Sequence, residues 1–220
     1  MLASIYLNAK QAVVQAGFLS EIDWQGRVRA EDLTESQFLR EAAWTVLSAG
    51  MNESIIRKHF PAITDAFMGW SSAVEIADTR EVCRRRALAV FRHRAKINAI
   101  IAIAQKVAAL SIDWIRHQVL CYGVHYLRRF PFIGPVTSFH LAKNIGLPVA
   151  KPDRHLVTIA RLLGAGSVQT MCESIAEETC DPVPVIDVVF WRYARENRGY
   201  RDELRRWLAT ESIGLVAASR

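Results

Sequence analysis

Two short segments of this chain carry residue types from which a reactive site can be built. The first, Arg128-Arg129-Phe130-Pro131-Phe132-Ile133-Gly134-Pro135-Val136-Thr137, reads as a helix end, a tight hairpin and a new helix. A turn followed at once by a helix N-terminus offers unpaired N–H donors and a positive dipole end, which suit one phosphate. Gly134 permits a positive φ and a close approach, and Pro135 fits the first turn of the helix. Thr137, Arg128 and Arg129 add to the attraction for a polyanion. The second segment, Lys151-Pro152-Asp153-Arg154-His155, sets a carboxylate at another helix start, seventeen residues after Val136. Asp153 there suits two roles. As an N-cap it accepts backbone N–H bonds, and as a fixed anion it stabilises positive charge developing on a substrate. The roles are compatible, because a helix start favours negative charge.

The elements that must position these segments follow a helical rather than an alternating period. Thr34-Glu35-Ser36-Gln37 is a capping box opening a helix whose apolar residues Phe38, Ala42, Val46 and Ala49 share one face. Gly50 stops it, and Asn52 caps a helix running towards Phe60-Pro61. Further helices are predicted over 1–18, 72–77, 92–110, from a Ser111 cap through Tyr122, and over 135–144. Others run from Asp153 to Leu163-Gly164, and over 167–178, 183–196 and 200–208. No segment reads as a strand, and there is no internal repeat or long linker. The expectation is an all-α chain of about ten helices joined by short loops.

Composition narrows the classes. A chain of 220 residues, 51% hydrophobic and poor in Pro and Gly, has material for one large domain or two small lobes and does not suit disorder. A net charge of +6 favours polyanionic partners. Cys83, Cys121, Cys172 and Cys180 form no CxxC pair and match no common zinc or iron–sulfur spacing, which predicts reduced, mostly buried thiols. The N-terminal segment lacks a secretory pattern. The most apolar stretch, 97–110, is interrupted by Asn98, Gln105 and Lys106, so a soluble cytoplasmic protein with no membrane partner is expected.

Together, the hairpin and the downstream Asp153 resemble the helix-hairpin-helix DNA glycosylase superfamily. The likeness runs from about Trp44 to Tyr193, ends on the helix Asp187-Val188-Val189-Phe190-Trp191-Arg192-Tyr193, and is specific around the hairpin and Asp153. It implies a two-lobed fold with the active cleft between a central helical lobe, about 34–145, and a second lobe made from about 1–33 plus 146–220. It also implies an enzyme that flips an altered base out of duplex DNA and hydrolyses its N-glycosidic bond. By position, the amides of Phe132, Gly134 and Thr137 would face a phosphate. The carbonyls of Arg128, Phe130 and Ile133 would hold a monovalent cation, Na+ or K+. Family members commonly have glycine where this chain has Phe132.

Asp153 carries over as the residue that stabilises the oxocarbenium-like sugar and orients water. Family members with lyase activity carry a Lys just after the hairpin; Val136 occupies that position, and neither Lys143 nor Lys151 matches it. The resemblance therefore implies a monofunctional enzyme that leaves an abasic site. The iron–sulfur cysteines of one branch are missing, and no cofactor is required. The wedge segment corresponds to 45–53, with Gly50 where an amide-bearing residue usually stands, leaving Met51 or Asn52 to fill the gap. His140, Val136, Trp44, Tyr122, Tyr126 and Trp191 are candidates for lining the base pocket. His155, two residues after Asp153, reads as a packing residue. Arg84, Arg85, Arg86, Arg92, His93, Arg94 and Lys96 are either phosphate contacts or a solvated helix face.

The expected partner is double-stranded DNA with an altered base, bound by a monomer, near the nucleoid if the source is bacterial. Alkylated or oxidised purines are favoured, with enzymatically modified phage-type bases as an alternative. Two other readings stay open. One is a non-catalytic hairpin module in which Asp153 is only a cap, and the other is a helical interaction protein without a nucleic-acid ligand.

Overall fold

The computed structural model describes the backbone of residues 1–218 and the side chains of 1–210. In chain order its helices are α1 (Leu2–Gln15), α2 (Leu19–Arg27), α3 (Glu35–Ser48), α4 (Glu53–Ala66), α5 (Ala73–Asp78), α6 (Arg80–Val90) and α7 (Arg94–Leu110). These are followed by α8 (Ile112–Leu127), α9 (Thr137–Asn144), α10 (Arg154–Leu162), α11 (Val168–Thr179), α12 (Val183–Glu196) and α13 (Tyr200–Ala218). The described residues contain no strand, so the protein is all-α. It has more helices than periodicity suggested. α2 and α6 each bury only two residues, and the predicted 92–110 helix begins only at Arg94, after Phe91 turns extended.

Contacts divide the chain into two compact units, Arg29–Leu147 and Met1–Val28 with Pro148–Arg220. In the first, α3 opens with the expected capping box. The Thr34 N–H donates to Gln37 Oε1 at 2.9 Å, and the Gln37 N–H donates back to Thr34 Oγ1 at 3.3 Å. Phe38, Ala42, Val46 and Leu47 are fully buried beside Phe67, Trp70 and the Ile97, Ile101, Ala104 face of α7. Burying each large side chain is worth about 1.5–3 kcal/mol.

α4 departs from expectation by continuing through Pro61 to Ala66. The buried residues Ile56, Phe60, Ile63 and Ala66 hold it helical across the missing proline N–H. Ser111, at φ 65, caps α8 as predicted, and Gly123 breaks that helix at φ 52.

A second departure concerns Lys96. Its ammonium is buried and donates to the carbonyls of Leu47 at 2.6 Å and Ala49 at 2.5 Å, so it caps the end of α3 and does not offer a phosphate contact. Burial pushes its pKa down.

In the other unit, α12 runs through the centre with eleven of its residues buried, against α1, α2, α10 and α11. Its buried charged residues, Asp187 and Arg192, are both engaged. Arg192 forms a two-pronged pair with Glu21, 2.7 and 2.8 Å, and the guanidinium stacks 4.2 Å from the Phe18 ring. Of the four thiols, Cys83 and Cys172 are buried while Cys121 and Cys180 are exposed. Among the described residues no single helix is long and apolar enough to cross a membrane.

Candidate functional site

The hairpin starts where α8 ends. Ile133 N–H donates to the Phe130 carbonyl at 3.1 Å, closing a turn through Pro131 and Phe132. Proline at the second position and a positive φ at the third are the marks of a type II turn, and the left-handed residue is Phe132, at φ 64. Gly134 was expected to supply that conformation and does not. Its N–H is also committed, donating to Thr137 Oγ1 at 2.6 Å. Of the three amides assigned to a phosphate, those of Phe132 and Thr137 have no acceptor among the described residues. The Phe132 ring is itself exposed.

Pro135 and Val136 form a turn ahead of α9, so the helix begins two residues later than predicted. Its first turn carries no acid. Arg128 and Arg129 are exposed; Arg128 Nε reaches Ser138 Oγ at 3.4 Å, and Arg129 lies 5.8 Å over the Tyr126 ring. Lys106, which sequence reasoning missed, joins them. Its ammonium donates to the Arg129 carbonyl at 2.8 Å and sits 5.0 Å over the Phe130 ring. Only folding brings α7 beside the hairpin, so no local signal could have found it. The Phe130 carbonyl already accepts one bond, from Ile133, but a carbonyl has two lone pairs. A set of neutral backbone carbonyls at Arg128, Phe130 and Ile133 is chemically suited to a monovalent cation.

The far end of α9 anchors this hairpin. Gly146, at φ 96, and Leu147 close a Schellman cap, with Leu147 N–H to the Ala142 carbonyl at 2.9 Å. Buried Asn144 donates to Glu41 Oε2 at 2.9 Å. Burial raises the Glu41 carboxyl, opposed by Arg40, Asn144 and Lys143. Lys143 is likewise buried, so it is no exposed amine, and the Val136 side chain is exposed.

In the other unit, Asp153 is the N-cap of α10. Its Oδ1 accepts both the His155 N–H at 2.9 Å and the Leu156 N–H at 3.1 Å, leaving Oδ2 outside the cap. The preceding loop is pinned by two residues that the sequence reading passed over. Asp187, buried in α12, accepts the Lys151 N–H at 2.6 Å. Gln169 accepts the Ala150 N–H at 2.8 Å and donates to the Pro148 carbonyl at 3.1 Å. The visible signal for Asp187 was an acid inside the apolar run Val183-Pro184-Val185-Ile186-Asp187-Val188. His155 packs edge-on to Tyr200, 6.0 Å between ring centres. Burial pushes its pKa down, Asp153 opposes this, and Arg154, Arg195 and Arg201 push it further down.

The remaining candidates are scattered. Asn52 caps α4 through the Ser54 N–H at 3.1 Å, while Met51 is part-exposed after Gly50 at φ 68. Trp44 packs edge-on to Phe60 with Arg57 over its face. Tyr126 is buried against Phe130 and belongs to the hairpin's support. Tyr122 is exposed, His140 is half-buried, and Trp191 lies beside the Arg192 guanidinium at 4.7 Å. No protein-family model and no curated protein matches this sequence.

Proposed function

We propose that this chain is a monofunctional DNA glycosylase that removes an altered base from duplex DNA by hydrolysis and leaves an abasic site. The reading rests first on the likeness of the hairpin and Asp153 to the helix-hairpin-helix glycosylases. The observation that carries the chemistry is the cap of α10, which fixes the Asp153 carboxylate through Oδ1 while Oδ2 stays outside the cap. An anion held this way needs no reorganisation when positive charge builds on the sugar.

The hairpin would hold the DNA backbone through the Phe132 and Thr137 amides, with Arg128 and Arg129 adding charge and Lys106 a third cation. A monovalent cation on the carbonyls of Arg128, Phe130 and Ile133 would add positive charge beneath the phosphate. The absence of an amine at Val136 favours water over an enzyme amine as nucleophile. Altered purines are the proposed substrates, and Met51 or Asn52 the proposed wedge.

The test is base release. Duplexes carrying alkylated, oxidised or enzymatically modified bases are incubated with the protein, heated in alkali to cleave abasic sites, and assayed for borohydride-trapped adducts. Cleavage on at least one duplex without a trapped adduct is expected. Trapping in good yield contradicts the monofunctional assignment. Because capping alone accounts for Asp153 at α10, a hairpin module that binds DNA without chemistry is the second reading. It predicts salt-sensitive duplex binding and no base release on any duplex.

A further inference from the structure

A face of α8 remote in sequence from Asp153 and not used by the hairpin gathers soft metal ligands. His117 and Cys121 are one helical turn apart, both exposed, with Cys121 Sγ 3.7 Å from His117 Nε2. A tetrahedral zinc ion, at about 2.3 Å from sulfur and about 2.05 Å from nitrogen, holds those two atoms about 3.6 Å apart. The pair therefore has the bite of two adjacent zinc ligands before any metal arrives. Histidine can bind through Nε2 with its proton kept on Nδ1.

Two ligands fill half of a tetrahedral shell. Among the described residues no third His, Cys, Asp or Glu gathers with them to complete a site. His125 follows on the same helix, but Gly123, at φ 52, breaks the register before it. Asp113, one turn earlier, is engaged by Arg116 at 2.5 Å. The missing ligands must come from outside the chain, and a two-fold axis beside α8 would bring a second His117 and Cys121 to the same ion.

What flanks the pair suits that occupant. Trp114, 50% exposed with its ring 6.3 Å from His117, and Leu120, 44% exposed, are apolar groups that a facing copy would cover. Charge also allows it. Each thiol gives up its proton on binding, so two thiolates balance the doubly charged ion and two protons leave per metal. The +6 chains thus gain no further charge at their contact.

We propose that α8 binds a zinc-like divalent cation through His117 and Cys121, and that a second copy of the chain completes a four-ligand site. This inference does not depend on the glycosylase reading. The test uses the full chain with a non-chelating phosphine reductant, titrated with zinc and followed by sedimentation, with cobalt as a spectroscopic substitute. The mass should double from 24.8 kDa at one metal per two chains and return on adding EDTA. Cobalt should give a thiolate charge-transfer band. Cys121→Ser and His117→Ala should each abolish dimer and band, whereas Cys180→Ser, at the other exposed thiol, should retain both. A chain that stays monomeric in excess zinc, or a Cys121→Ser variant that dimerises like wild type, overturns the proposal. One metal bound per monomer overturns the role of the second copy.

Discussion

At the start of α9, Thr137 Oγ1 turns back onto the Gly134 N–H at 2.6 Å and no acid sits in the first turn. At the start of α10, Asp153 Oδ1 takes two backbone N–H groups for itself. Both open helices of similar length, yet the first turn of α9 carries no acid while α10 opens on a carboxylate. The difference lies at the N-cap, where Val136 gives α9 no side-chain cap and Asp153 caps α10. An acid at the N-cap both accepts backbone N–H groups and offsets the positive dipole end, which a start without a side-chain cap does not. The proposed phosphate-binding start and the proposed charge-stabilising start therefore differ in their N-caps. The two differ also in what holds them, since Gly146 and Asn144 anchor α9 while Asp187 and Gln169 pin the loop before α10.

The comparison can be broken most severely at Gly146. A Cβ there would lie 2.6 Å from the Ala30 nitrogen, on a residue already at φ 96. Gly146→Ala should cost about 3 kcal/mol through backbone overlap and left-handed strain. Calorimetry should show the melting temperature falling by roughly 10 °C. A smaller effect is expected from Thr137→Val, which strips the acceptor from the Gly134 N–H and should cost about 1 kcal/mol. Urea titration would report this as a lower midpoint at constant slope, and duplex affinity should hold or rise because a further amide is released.

Phe132→Gly works in the opposite direction. It relieves a left-handed phenylalanine, gaining about 1–2 kcal/mol, less about 0.5–1 kcal/mol from the freer unfolded chain. The variant should melt slightly higher than wild type, and a lower melting point would mean the Phe132 ring packs more than its exposure suggests.

The smallest effect concerns pH. Burial lowers the His155 pKa in the folded protein, so the unfolded chain takes up the proton first. Stability from His155 is therefore present above about 6.5 and is lost as pH falls below it. His155→Gln should flatten that part of the stability curve in denaturant titrations at several pH values.

These two starts also mark where sequence reading succeeds. Local chemistry was legible: the Thr34 capping box, the Asn52 and Ser111 caps and Asp153 as N-cap all follow from residues within one turn. So was the strong apolar period of α12, whose bounds match the expected 183–196. Tertiary overrides were not legible. Pro61 reads as a helix stop, but buried neighbours on both sides carry α4 past it. Lys96 reads as a surface cation until α7 packs on α3 and two carbonyls need a donor. At the hairpin, glycine preference pointed to Gly134 for the positive φ, yet Pro131 fixes the turn so that the positive φ falls two residues earlier, on Phe132. Around Asp153, the pinning comes from Asp187, 36 positions beyond the Lys151 amide it accepts, which periodicity cannot see.

One variant bears most directly on whether Asp153 does chemistry or only caps. Asparagine caps a helix about as well as aspartate but carries no charge. Asp153→Asn should therefore keep the wild-type melting temperature and duplex affinity, while single-turnover base release falls by about 10²–10³-fold. Base release at the wild-type rate from the folded, DNA-bound variant contradicts a catalytic Asp153.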